Sequence, residues 1–170
     1  MGSPFPQAIS YGCKDGVALN GVLHFLSMSL DDILCFDLEG EEWRTICGPP
    51  RTSTSWDNIG LAELNGTLCV THGKRRMLDL WLLTGLTNKD VWVKSYTIPM
   101  YIVQFVPLRV MQPGGKLLFY DRRNYVHRST DVLLVYDPRS GKCTNVEKVP
   151  TNIIGRIGLC SSHLDRRLYG

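Results

Sequence analysis

Apolar and polar positions along the chain fall into a four-part pattern that recurs. Its first copy runs Leu19-Asn20-Gly21-Val22-Leu23-His24-Phe25-Leu26, then Ile33-Leu34-Cys35-Phe36-Asp37, then Trp43-Arg44-Thr45-Ile46, then Pro49-Pro50. The second runs Leu64-Asn65-Gly66-Thr67-Leu68-Cys69-Val70, then Leu78-Asp79-Leu80-Trp81-Leu82-Leu83, then Trp92-Val93-Lys94, then Ile98-Pro99. A looser third copy passes through Gly114-Gly115-Lys116-Leu117-Leu118-Phe119-Tyr120, Val132-Leu133-Leu134-Val135-Tyr136-Asp137, Cys143-Thr144 and Val149-Pro150. The turn glycines at 21, 66 and 115 are spaced by 45 and 49 residues. A period of this length filled with short strands is the mark of a propeller-type repeat.

Turn chemistry sharpens the strand assignments. Asn-Gly between apolar runs is a strong hairpin signal, because the favoured two-residue turn needs positive φ at both central positions. Asn20-Gly21 and Asn65-Gly66 meet it, and Gly114-Gly115 is expected to serve in the same way. Leu38-Glu39-Gly40-Glu41 and Pro138-Arg139-Ser140-Gly141 supply the later turn of their copies, and Gly85 to Asp90 is a longer loop at the matching place. The expected strands are 17–27 with 32–38, 43–47 alone, 59–71 with 77–84, 91–98, 105–120 with 131–137, 142–148 and 156–169. No segment has helical apolar spacing, so the fold class expected is all-β: a partial β-propeller-like array of three to four antiparallel strand units, at about 17–50, 59–100, 107–150 and 156–170. With no low-complexity linker, residues 1–170 are read as a single domain.

Composition narrows the function classes. The 44% hydrophobic and 21% charged fractions suit a globular domain. No run of eighteen apolar residues is present, so no membrane-spanning helix is expected. The start, Met1-Gly2-Ser3-Pro4-Phe5-Pro6, has neither the basic nor the apolar region of a secretory signal. A net charge of +3 is too mild to argue for nucleic acid. The six cysteines have neither Cys-x-x-Cys nor zinc-ligand spacing, and all six are read as reduced thiols of an intracellular protein, cytoplasmic or nuclear. No metal and no cofactor are expected. Asn65-Gly66-Thr67 fits a glycosylation sequon, but hairpin chemistry explains its Asn-Gly better.

Candidate chemistry points to binding. The sequence has no Gly-x-Ser-x-Gly elbow, no phosphate-binding glycine loop and no His-Glu-x-x-His, so no enzyme is read from it. His24 lies in an alternating strand and is read as structural; Trp43 and Trp92 hold equivalent positions and are read as packing between units. The binding candidates sit in loops. Trp56 stands in the polar stretch Arg51 to Asp57, and Trp and Arg dominate interface hot spots, so Trp56 and Arg51 are candidates. Tyr101 after Pro99 is a weaker one. Arg122, Arg123, Tyr125 and His127 make a basic, aromatic loop suited to an acidic or phosphorylated partner segment. For both loops the alternative stays open: a Trp tucked beneath its own loop, and a solvated hairpin tip.

The ordered set Asn-Gly-x-Leu-His-Phe-Leu, Ile-Leu-x-Phe-Asp-Leu-x-x-Glu-x-Trp-Arg, Leu-Asn-Gly-x-Leu-Cys-Val and Leu-x-Leu-Trp-Leu-Leu resembles the F-box-associated domain of plant F-box proteins, with its kelch- or propeller-like repeats. Trp92-Val93-Lys94, Leu134 to Pro138 and Arg156 to Ser162 fit the same pattern, and the likeness runs from about Val17 to Cys160. The resemblance implies a protein-interaction module that selects the substrate of a cullin–RING ubiquitin ligase, whose F-box docks on the Skp adaptor. No amphipathic helix that could serve as an F-box is read in this sequence, so no direct adaptor binding is expected of this chain. Two alternatives accompany this reading: a truncated relative that acts as decoy or antidote by binding a partner without ligase action, and a small-ligand or glycan-binding propeller. Three units and a fraction would leave apolar sheet faces at the ends of the array, so a homodimer or heteromer is expected.

Overall fold

The computed structural model describes residues 16–27, 31–50, 59–74, 76–85, 90–99, 105–121 and 131–149. Two units divide the chain, Met1–Val103 and Gln104–Gly170. Every regular element among the described residues is a β-strand.

The first unit holds two sheets. Sheet 1 has the order β1 (Val17–Leu19), β2 (Val22–Leu26), β3 (Asp32–Asp37) and β4 (Glu42–Cys47). Sheet 2 has the order β5 (Ile59–Leu64), β6 (Thr67–Lys74), β7 (Met77–Leu83) and β8 (Trp92–Pro99). Both are antiparallel meanders opened by the same turn: φ is +51° and +78° at Asn20 and Gly21, and +52° and +78° at Asn65 and Gly66. Those values are what a two-residue turn matching the strand twist requires. Leu19 then faces Val22, and Leu64 faces Thr67. The strand at 43–47, expected to stand alone, is instead the outer strand β4, paired with β3 from Asp32↔Cys47 to Asp37↔Glu42. Its exposed Glu42, Arg44 and Thr45 hide the apolar alternation from the sequence, as an edge strand facing water would.

The two sheets pack face to face. Leu26, Ile33, Cys35 and Ile46 from sheet 1 meet Leu61, Leu68 and Val70 from sheet 2, and Trp81, Leu83 and Trp92 lie against them. Each fully buried aliphatic side chain of this kind contributes roughly 1.5–3 kcal/mol. The side-chain period of two explains the selection, since Leu68 and Val70 share one face of β6. Cys69, on the other face, is also buried, as are Leu80 and Ile98.

The second unit holds a third meander, β9 (Phe105–Met111), β10 (Lys116–Asp121), β11 (Asp131–Asp137) and β12 (Lys142–Val149), in sequence order from β9 to β12. The stretch 105–120, read as one strand run, is split by the loop Gln112–Gly115 into β9 and β10, with Met111 facing Lys116. Gly114-Gly115 therefore closes a four-residue loop; Pro113, with no N–H to give, does not extend the ladder. Pro107 is accommodated because β9 is an edge strand, beside the register shift at Leu118/Phe119. Leu117 and Phe119 are fully buried. The expected strand at 156–169 lies outside the described residues.

Candidate functional site

In sheet 1 and in the meander of the second unit the shorter turns follow odd-numbered strands, whereas sheet 2 has a tight turn at 65–66 after β5, two residues at 75–76 after β6 and a longer connection at 84–91 after β7. The turns at 20–21, 38–41, 65–66, 112–115 and 138–141 follow odd-numbered strands. The connections that carry all seven candidate binding residues follow even-numbered strands. Arg51 and Trp56 fall between β4 and β5, Tyr101 between β8 and β9, and Arg122, Arg123, Tyr125 and His127 between β10 and β11. All seven lie outside the described residues, but the points where their connections leave and rejoin the sheets are placed.

At the first of these connections a small recess opens, lined by Leu26, Ile33, Gly48, Pro49, Ile59, Val70 and His72. Pro49 begins, and Ile59 ends, the connection that carries Arg51 and Trp56. Gly48 N–H donates to the Asp31 carbonyl at 2.7 Å, so the ladder runs one step past β4 before the chain departs. A Cβ on Gly48 would stand 2.7 Å from that same oxygen, which keeps a side chain out of the take-off point.

Beside the recess lies a charged network that the sequence pattern did not single out. Asp79 faces His72 across the β6–β7 ladder and Thr97 across the β7–β8 ladder. Only 4% of its surface is exposed. Thr97 Oγ1 donates to Asp79 Oδ1 at 2.7 Å, and Lys94 Nζ donates to Oδ2 at 3.0 Å. Lys74 Nζ stands 3.8 Å from the same oxygen. Burial alone would raise the carboxyl pKa, but the hydrogen bonds from Thr97 and Lys94 and the charges of Lys94 and Lys74 outweigh it and hold the value below the ordinary carboxylate range. Lys94 also stands over the Trp81 ring, 5.1 Å from its centroid. The usable signal was Asp79 itself, a carboxylate between Leu78 and Leu80 in an apolar strand, since a buried charge must find partners.

His24, Cys35 and Cys69 are buried in the sheets. His24 is buried, with Nδ1 3.2 Å from the Val17 carbonyl on the neighbouring strand. Loss of hydration lowers its pKa, against the raising effect of that contact. Burial pushes the Cys35 thiol up to about 11 and the Cys69 thiol to about 12, which keeps both protonated at neutral pH. Cys47 and Cys143 are exposed free thiols, and Cys13 and Cys160 lie outside the described residues. Among the described residues, no group of three or more His, Cys, Asp or Glu is placed to hold a metal ion, and no helix is long and apolar enough to cross a membrane.

The two equivalent tryptophans are both packed, in different company. Trp92 lies against the core between the sheets, and its Nε1–H donates to the Cys47 carbonyl at 2.8 Å. Trp43 sits on the other face of sheet 1, with ring centroids 4.9 Å from Phe36 and 6.1 Å from Phe25.

Comparison with known proteins agrees with this architecture. Residues 5–154 match the family described as the F-box associated beta propeller domain. The chain is also 29% identical over 143 residues to F-box protein At3g07870 of Arabidopsis thaliana, an alignment covering 73% of this chain and 34% of that protein. The chain thus spans about a third of the length of that curated relative. Three four-stranded antiparallel meanders, joined in order and matched over most of their length, place the chain in the F-box associated β-propeller domain family, a family of protein-interaction modules in F-box proteins.

Proposed function

We propose that the chain recruits a protein to a cullin–RING ubiquitin ligase, binding it through the connections that follow the even-numbered strands. The family match carries this reading: it runs continuously over residues 5–154, across both units, which supports treating them as parts of one F-box associated domain. The relative's name, F-box protein, supports the link to the ligase. The placement of all seven candidates on connections that follow even-numbered strands supports the choice of surface, because binding residues concentrate on loops held by a rigid scaffold. Trp56 and Arg51 are the anchors of the first connection, Tyr101 adds to the second, and Arg122, Arg123, Tyr125 and His127 receive an acidic or phosphorylated segment in the third. Adaptor contact belongs to an F-box, so this chain alone does not bind the Skp adaptor. The setting proposed for this recruitment is intracellular, cytoplasmic or nuclear, where thiols stay reduced.

Affinity capture from plant extract tests this. The parent chain should enrich a protein set that the Trp56→Ala and Arg122→Glu/Arg123→Glu variants lose while keeping the parent melting curve. Identical sets on parent and variants would move the interface elsewhere.

A further inference from the structure

The chain contains two Asn-Gly pairs, Asn20-Gly21 and Asn65-Gly66, and both form exposed tips of hairpins. Asn-Gly is open to attack by the backbone nitrogen of the glycine on the asparagine side-chain amide, because glycine has no Cβ to hinder the approach. The two turn backbones match: φ is +51° and +78° in the first, +52° and +78° in the second. Whatever this turn conformation contributes to reactivity, it contributes equally at both. The residue two positions before the asparagine is what differs.

In the second turn Glu63 faces Leu68 across the ladder, and its Oε1 accepts the Gly66 N–H. In the first turn the matching place, opposite Leu23, is held by Ala18, whose side chain has no acceptor. The glycine nitrogen must shed its proton before it attacks. A carboxylate that holds this proton in a charge-assisted hydrogen bond makes the loss harder, and its negative charge repels hydroxide. The ladders add to the contrast. Three residue pairs hold β1 to β2 and six hold β5 to β6, so local opening is easier at the first turn.

We propose that Asn20 is a site of spontaneous deamidation, and that Glu63 protects Asn65 from the same reaction. The Gly21 nitrogen loses its proton to solvent base and bonds to Asn20 Cγ; the Cγ–Nδ2 bond breaks and ammonia leaves with a proton. Water then adds across either C–N bond of the cyclic imide, leaving aspartate or isoaspartate at position 20. Both products add a negative charge to the turn, and isoaspartate also inserts an extra backbone carbon. That carbon falls between Leu19, which pairs with Val22, and Gly21, whose carbonyl accepts the Leu38 N–H at 2.9 Å. Isoaspartate therefore loosens the β1–β2 hairpin and the end of β3 together, and sheet 1 weakens as the protein ages.

Peptide mapping by mass spectrometry tests this on the full chain, aged at physiological temperature and mildly alkaline pH. Deamidation should accumulate at Asn20 roughly fivefold or more faster than at Asn65, the factor expected when a hydrogen bond to a charged group must first break. Glu63→Ala should raise the Asn65 rate toward that of Asn20, and Ala18→Glu should lower the Asn20 rate. Glu63→Gln keeps a neutral acceptor and should retain part of the protection. Melting curves of the variants separate these effects from a loss of folding, and Ala18→Glu keeps the test open if Glu63→Ala is unstable. A parent that deamidates at Asn65 as fast as at Asn20, a folded Glu63→Ala variant with the Asn65 rate unchanged, or an Ala18→Glu variant with the Asn20 rate unchanged would each overturn the proposal.

Discussion

Trp92 Nε1–H donates to the Cys47 carbonyl at 2.8 Å, joining the start of the outer strand of sheet 2 to the end of the outer strand of sheet 1. The indole at once lies against the core between the sheets and satisfies the Cys47 carbonyl, which turns away from β3. Trp92→Ala should destabilise the first unit by roughly 3 kcal/mol, the low end for losing a large aromatic from a packed site. Trp92→Phe keeps most of the packing and should cost about 1 kcal/mol for the lost hydrogen bond. Chemical denaturation of the two variants separates the contributions; equal costs would mean that the indole N–H is what matters.

Asp79 ties β7 to β8 through Thr97 and Lys94. Asp79→Ala should cost about 1–3 kcal/mol, as expected for breaking a buried charged hydrogen-bond network. Because the folded-state pKa of Asp79 is lowered, its contribution is fully present above the ordinary carboxylate value of 3.8 and is lost as pH falls through the lowered value. His24, also lowered, adds a loss of stability that begins as pH drops below 6.5. Melting curves should therefore show two steps of acid destabilisation, the lower one missing in Asp79→Ala and the upper one in His24→Gln.

Glu41 and Gly141 hold the same place in equivalent turns, with φ of +52° and +67°. Each turn is preceded by an aspartate whose Oδ1 accepts the backbone N–H two residues on, at 2.9 Å for both Asp37 and Asp137. A left-handed residue with a Cβ costs about 1 kcal/mol or more, and glycine avoids that cost. Glu41→Gly should raise stability by up to roughly 1 kcal/mol, and Gly141→Ala should lower it by a similar amount. Thermal melts check both signs; a destabilised Glu41→Gly would mean that the Glu41 side chain contributes more than the backbone loses.

How far the sequence carried the fold depended on where each signal sat. Asn20-Gly21 and Asn65-Gly66 located two hairpins because only a few residues tolerate the required φ. The apolar runs at Ile33 to Phe36 and Leu78 to Leu83 located inner strands because both of their faces are largely shielded from water. Strand β4 was seen but its pairing was not, because an edge strand alternates little and pairing is a property of its neighbour. Pro113 and Pro107 were not read as marks of a split strand and an edge. Asp79 alone marked its network in the sequence; its partners were not legible because Lys74, Lys94 and Thr97 reach it through register, and register is not written in any one segment. The seven loop candidates were chosen by residue type, and their positions after even-numbered strands came only with the topology.

The adaptor provides a direct check on the division of labour. Purified Skp adaptor mixed with this chain should elute separately, while the same adaptor should bind an F-box protein carrying its F-box. A stable complex between adaptor and this chain would assign ligase assembly to the β-sheets themselves.

The proposed interface is formed by the connections that follow β4, β8 and β10. Amide hydrogen exchange of the chain with and without the captured partner measures this directly. Slowed exchange is expected at 50–58, 100–104 and 122–130, with the tight turns at 20–21, 38–41, 65–66 and 138–141 unchanged. Protection confined to those tight turns, with the connections exchanging as in the free chain, would contradict it.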